Sequence, residues 1–210
     1  MAVRLPSRER INPIDDDDPL RFYYMPLVGR LYLRRLETAS ALLDGRGGRL
    51  LDLGYGSGVF LPELAAHGFR IVGADRHAKG AMVRAMARGE GIDPALVTGD
   101  LLSLPFAAAS IDVVCCLSVL EHVAALDAAL AEIRRVLRPG GTALLGYPRV
   151  DRLMGVLFRA IGFAGIEAHH VSTPRDIEAA ARRALTLEVR RAWPPGFPLY
   201  TVSRWRAPAA

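Results

Sequence analysis

Cysteine is scarce in this chain of 210 residues: only Cys115 and Cys116 occur, side by side. Neighbouring residues of a strand point to opposite faces, so the two cannot close a strain-free disulfide with each other. They read as buried thiols, and neither a disulfide framework nor a metal-ligand spacing is present, so no metal is expected. Grouped positive charge is also missing. The net charge is +5 and the pI near 9.7, but the basic residues are almost all arginine and are scattered from Arg4 to Arg206. A nucleic-acid surface would show a lysine-rich block or a basic stripe interleaved with aromatics; neither is there, and nucleic acid is not expected as a partner. Long apolar runs are lacking as well, because Arg159 breaks the longest candidate, and the N-terminal MAVRLPSRERINPIDDDD has no apolar core of a leader. Stable membrane insertion is thus not expected, and a cytoplasmic location is.

What remains is a chain that is 51% hydrophobic, long enough for one well-buried core and too short for two full domains with a linker. Its apolar runs alternate with helical patterns. Strands are expected near 49–53, 70–74, 95–98, 111–116 and 142–147, with helices near 60–67, 78–89 and 124–137. Such alternation requires right-handed crossovers and a parallel sheet covered on both faces. A last pair, Thr186 to Trp193 and Leu199 to Arg206, is joined by Pro194-Pro195-Gly196, a connection short enough to permit only antiparallel pairing. Upstream, Pro26 divides Leu20 to Leu43 into a short helix bearing Phe22, Tyr23 and Tyr24 and a longer one. The four aspartates before Pro19 suit a helix start. The fold class is therefore α/β: a Rossmann-like, seven-stranded, mostly parallel sheet with helices on both faces and an antiparallel C-terminal strand.

Residues Leu50 to Phe60, LLDLGYGSGVF, place a glycine-rich turn between an apolar strand and a helix. Gly54, Gly56 and Gly58 allow positive φ and close approach of a ligand. Asp52, near the strand's end, faces the crevice at the carboxyl edge of the sheet. A carboxylate there repels a pyrophosphate and attracts an ammonium or sulfonium, so a cationic ligand is expected. The spacing is G-x-G-x-G, with Val59 where a dinucleotide fingerprint needs its third glycine; a nicotinamide-dependent oxidoreductase is thereby the weaker reading. Phe69 to Asp75, FRIVGAD, ends in an acid a little over twenty residues after Asp52, the distance at which a second strand presents a carboxylate to ribose hydroxyls. Each such charge-assisted bond contributes roughly 1.5–3 kcal/mol.

The stretch DLGYGSG resembles motif I of the class I S-adenosylmethionine (SAM) dependent methyltransferases. ALVTGDLLSL, SIDVVCCLSVLEHV and LRPGG follow in the order of that family's later motifs, so that the resemblance spans Gly48 to Pro148. It is to the small-molecule branch typified by the quinone-biosynthesis C-methyltransferases (methyltransferase type 11). It implies SAM as cofactor, with Asp52, Gly54, Tyr55, Gly56, Gly58, Asp75 and Arg76 around its methionine and ribose parts. It further implies that Asp100 accepts from the adenine amino group, that the Leu101 amide reaches the ring, and that Leu117 and His122 shape the wall. Tyr55 stands where the family usually has a small residue, so its ring is expected in solvent or over the methionine portion. The activity implied is methyl transfer to a small, apolar or aromatic metabolite; a non-catalytic SAM-fold binding module is the alternative.

Two regions lie beside this core: residues 1–47 as tail and cap helices, and an insertion at about 151–173 within the domain at 48–210. Asp151 to Ile166 is rich in large apolar residues with only Arg152 and Arg159 for positive charge, and reads either as a helix packed on the sheet or as a lid over an apolar acceptor pocket. Thr173 before Pro174 is a helix start. Of the histidines near the expected pocket, His122, His169 and His170, the last is the candidate general base.

Overall fold

The computed structural model describes residues 3–16, 18–26, 28–43, 47–149, 170–194, 196 and 198–209. Seven strands form one sheet: β1 Arg49–Leu53, β2 Arg70–Asp75, β3 Ala95–Thr98, β4 Ile111–Leu117, β5 Leu137–Pro148, β6 Thr186–Trp193 and β7 Tyr200–Arg206. Their order is β3-β2-β1-β4-β5-β7-β6. The first five pair in parallel, while β7 runs antiparallel to both β5 and β6, as the short link after Trp193 requires. Among the described residues the helices are α1 Leu20–Tyr23, α2 Val28–Ser40, α3 Leu61–Ala66, α4 Gly80–Gly89, α5 Leu126–Val136 and α6 Pro174–Ala184, with one 3₁₀ turn at Leu120–His122. Most of the expected insertion, 151–169, lies outside the described residues.

The alternation of side chains along the strands divides the interior into two apolar layers. Leu51, Cys116 and Leu145 belong to one with Leu130, Ile133, Ile177 and Trp205; Leu50, Cys115 and Leu144 belong to the other with Leu61, Leu64, Val83 and Leu36. Cys115 and Cys116 therefore sit on opposite faces, both buried free thiols, as the strand period dictates. The N-terminal helices share the second layer: Ile11, Leu20, Tyr23 and Ala39 pack there. Asp18 starts α1 by accepting the Leu20 N–H at 2.8 Å.

One element departs from expectation. Helix α5 stops at Val136, and Leu137 already pairs with Ile111 before the register jumps to Val113 opposite Thr142. Arg138 to Gly141 is thus a bulge inside β5 rather than a turn preceding it. Gly140 takes φ 70° there, and a Cβ on Gly141 would stand 2.8 Å from the Arg138 carbonyl, so the glycines permit the fold-back. Helix α3 begins at Leu61 with Pro62 in its first turn, which Pro tolerates because the N–H it lacks has no intrahelical partner.

Strands β1 to β3 step one way across the sheet and β4 and β5 the other, so the order reverses between β1 and β4. In open α/β sheets that reversal leaves a crevice at the strands' carboxyl ends. No helix among the described residues is long and apolar enough to cross a membrane.

Helix α6 closes the layer under Trp205, and its start is a full capping box: Thr173 Oγ1 accepts the Asp176 N–H at 3.3 Å, and Asp176 accepts the Thr173 N–H at 3.0 Å. Thr173→Ala removes the cap and is expected to lower stability by about 1 kcal/mol, read as a lower urea midpoint with unchanged slope.

Candidate active site

The crevice floor is built by backbone that tolerates no extra atoms. Gly54, with φ 75°, donates to the Ala74 carbonyl at 2.8 Å, and a Cβ on it would fall 2.2 Å from Val119 Cγ2. Gly58, with φ 79°, is similarly closed: a Cβ would meet Val83, Leu61 and Met86 within 2.9 Å. These two glycines serve packing between the loop, the turn after β4, and helices α3 and α4. Gly56, with φ 51°, differs, because a Cβ there would meet nothing within 4 Å. The open side of the loop is at Gly56.

Asp75, the last residue of β2, accepts the Gly56 N–H at 2.8 Å. His77 joins them: its Nε2 lies 3.0 Å from the Gly56 carbonyl and 3.5 Å from Asp75 Oδ2. The carboxylate and imidazole thereby hold the loop's open residue from both polar ends. His77 was not singled out from the sequence, although its position two residues beyond a strand-end acid was a usable signal. Asp52 lies between Gly73 of β2 and Cys115 of β4 in register and is 6% exposed. Burial, and then the charge of Asp75, push its pKa up from the ordinary 3.8 to about 7.

Tyr55 does not point to solvent. It is 4% exposed, its ring stands edge-on to His77 with centroids 4.9 Å apart, and Gly73 and Gly80 lie directly against it. The missing side chains at those two glycines make the room. Its hydroxyl is buried without a hydrogen-bond partner, and burial, reinforced by Asp75, raises its pKa to about 12.

Asp100 is exposed after β3, its Oδ1 accepting the Leu102 N–H at 2.9 Å, and Leu101 beside it is buried. Arg76 is exposed next to Asp75, and Leu117 is half-buried at the end of β4. Across the crevice, Glu121 and His122 occupy the 3₁₀ turn, and His170 joins them from a distant part of the chain. Its ring centroid is 4.9 Å from that of His122. The Glu121 carbonyl accepts from the amides of Val171 at 2.9 Å and Ser172 at 3.1 Å, so backbone bonds fasten the segment to the turn. Glu121 is 2% exposed and its carboxyl pKa is raised to about 7, chiefly by burial. His169 lies outside the described residues.

The expected aromatic triplet is already engaged in packing. Arg35 of α2 donates to the Tyr23 hydroxyl from Nε at 2.8 Å and to Ser118 Oγ from Nη1 at 3.2 Å, with the Tyr23, Tyr32 and Tyr200 rings within 5.9 Å of its guanidinium. Phe22 packs on Tyr32, and Tyr24 donates to the Pro6 carbonyl at 2.9 Å. This half-buried cation ringed by phenols had no local signature, since its partners come from three separate segments.

An acid whose folded pKa exceeds its unfolded value is penalised when ionised. The folded chain therefore holds a proton on Asp52 between about pH 4 and 7 that the unfolded chain has lost, and stability falls as pH rises through that window. Asp52→Asn removes the penalty. It is expected to stabilise the chain at pH 8 by on the order of 2–4 kcal/mol and to give no gain at pH 4, measured by denaturant unfolding at both values.

Residues 51–145 match the family model described as a methyltransferase domain. The demethylmenaquinone methyltransferase of Mycobacterium sp. (strain KMS) is 42% identical over 107 residues, covering 51% of this chain and 44% of that protein. The ubiquinone biosynthesis O-methyltransferase of Mesorhizobium japonicum is 28% identical over 165 residues, 77% of this chain and 62% of that one. The chain thus spans roughly half the length of these curated relatives. Among solved structures, N-methyltransferase NodS from Bradyrhizobium japonicum WM9, in complex with S-adenosyl-L-homocysteine, superposes with a TM-score of 0.66 at 21% identity, covering 93% of this chain and 95% of that one; at that identity the likeness establishes the fold. The match in sequence falls on the segment that carries the glycine loop and the strand-end acids, so that residues 51–145 are similar to a methyltransferase domain, on a fold shared with solved methyltransferases.

Proposed function

We propose that the chain binds SAM along the carboxyl ends of β1 to β4 and transfers its methyl group to a small, apolar or aromatic acceptor of quinone type, in the cytoplasm. The observation that carries this is the pairing of two strand-end carboxylates with the open flank of Gly56. Asp75 offers acceptor oxygens for ribose hydroxyls. Asp52, buried beside it, is relieved by a cation and by nothing that bears phosphate. Gly56 leaves room where any side chain would intrude. Asp100 and Leu101 stand at the next strand end for the adenine, with Arg76, Leu117 and His122 along the rim. The residues present fit the cofactor.

When bound, SAM supplies a methyl carbon already activated by positively charged sulfur. The protein's part is alignment of the acceptor with that carbon, for which well-oriented reactions suggest up to about 7–11 kcal/mol. An acceptor that must lose a proton meets His170, which we assign to its handling. We also infer that residues 1–47 act as a cap, and that the insertion at about 151–173 borders the acceptor within the domain at 48–210. Both curated relatives bear quinone names, which favours an aromatic ring over a nucleic acid. No observation favours the non-catalytic reading.

Titration calorimetry is expected to show micromolar binding of SAM and its demethylated product. Asp75→Ala should weaken both by about 1.5–3 kcal/mol, and Gly56→Val should abolish them while the far-ultraviolet spectrum stays native. Because a cationic ligand favours ionised Asp52, binding between pH 6 and 7 should release a proton, visible as a dependence on buffer ionisation heat. No heat with SAM, together with binding of NADH, would overturn the assignment.

His170→Ala is expected to lower turnover by roughly 10²–10⁴-fold with SAM affinity unchanged, the loss shrinking as pH rises and the acceptor ionises unaided. Undiminished turnover across pH would remove the role. The acceptor itself is to be found with methyl-labelled SAM and a metabolite extract; label only in protein or RNA would refute the small-molecule reading.

A further inference from the structure

We propose that Glu121, His122 and His170 form a binding site for a divalent transition-metal ion of the zinc class. Each offers one ligand atom, and those atoms all lie within 4.8 Å of one another. Ligands about 2.0–2.2 Å from a tetrahedral ion stand about 3.4 Å apart, so modest side-chain rotation closes the set. The placement does not depend on the three side chains finding each other. Backbone bonds from Val171 and Ser172 to the Glu121 carbonyl, and from Ser172 Oγ to the Val123 carbonyl at 2.6 Å, bring His170 to the turn.

A second observation points to a cation. Glu121 Oε2 is buried with no hydrogen-bond partner, in a residue that is 2% exposed. Buried carboxylate oxygens are paired, hydrogen-bonded or coordinated. Arg35, the cation whose field reaches this carboxylate, directs its N–H groups at Tyr23 and Ser118 instead. Two imidazole nitrogens and one carboxylate oxygen suit Zn²⁺, Co²⁺, Fe²⁺ or Ni²⁺ and not the all-oxygen preference of Mg²⁺ or Ca²⁺.

Three protein ligands leave the fourth tetrahedral position open, the arrangement of a metal that acts on a bound molecule. Val119, one residue before the turn, touches Gly54 across the crevice, so the ion would sit at the same sheet edge as the strand-end acids. A hydroxyl taken up there would lose its proton to solvent near neutral pH, the O–H pair staying on oxygen. His170 would then act on the acceptor by holding the ion. That role rests on the methyl-transfer reading; the metal site does not.

The test is titration of the full chain, stripped with chelator, with Co²⁺ followed by its visible absorption, and with Zn²⁺ in competition. One ion per chain at micromolar or lower Kd is expected. His122→Ala, His170→Ala and Glu121→Gln should each weaken binding at least tenfold, and the double histidine variant should lose it, while His67→Ala retains it. Thermal melting checks each variant. Should Glu121→Gln fail to fold, the exposed His122 decides alone. Absence of cobalt binding in the stripped chain, or binding that survives in the double variant, overturns the proposal. SAM calorimetry on the same samples separates the two readings: SAM binding without cobalt binding removes the metal site alone, and cobalt binding without SAM binding removes the methyl-transfer role alone.

Discussion

The close approach of the β1 loop to the turn after β4 is the contact on which the remainder of the site depends. It is possible because Gly54 has no side chain: a single methyl there would lie 2.2 Å from Val119 Cγ2. Separating those segments would draw Asp52 and Asp75 away from Glu121, His122 and His170. The reversal of strand order between β1 and β4 creates the crevice, and this contact sets its depth. Gly58 performs the matching service on the helical side, letting α3 and α4 close over the loop.

Electrostatics then give the crevice its character. Asp52 and Glu121 are both buried carboxyl groups with raised pKa values, one on each side of the sheet reversal. A protein that used this edge for packing alone would gain by replacing them with apolar residues of similar size. Arg35 belongs to the same region, but its phenol and hydroxyl partners hold it away from the acids.

Where the sequence could be read, it was because the determining interactions are local. Strand β1 and strand β3 fall where their apolar runs and bounding glycines put them, and the helix start at Thr173 follows from Thr173 and Pro174 side by side. The bulge at Arg138 to Gly141 was not legible, since a glycine pair marks a turn equally well before a strand and within one, and only pairing with Ile111 and Val113 distinguishes them. The burial of Tyr55 was not legible for the same reason. Its loop position suggested a ring in solvent or over the methionine portion, and the space that buries it is left by Gly73 and Gly80 on other elements.

The sequence by itself determined the alternation of strands and helices, the glycine loop, and the strand-end acids Asp52, Asp75 and Asp100, because periodicity and φ preferences act over a few neighbouring residues. The tertiary structure alone decided which glycines pack and which one opens to a ligand, that His77 locks the loop, and that His170 meets Glu121 and His122. Those outcomes depend on contacts between residues far apart in the chain, such as Ser172 bonding to Glu121 and Val123. Burial, which gives Asp52 its unusual acidity, is a property of the assembled layers and of no segment taken singly.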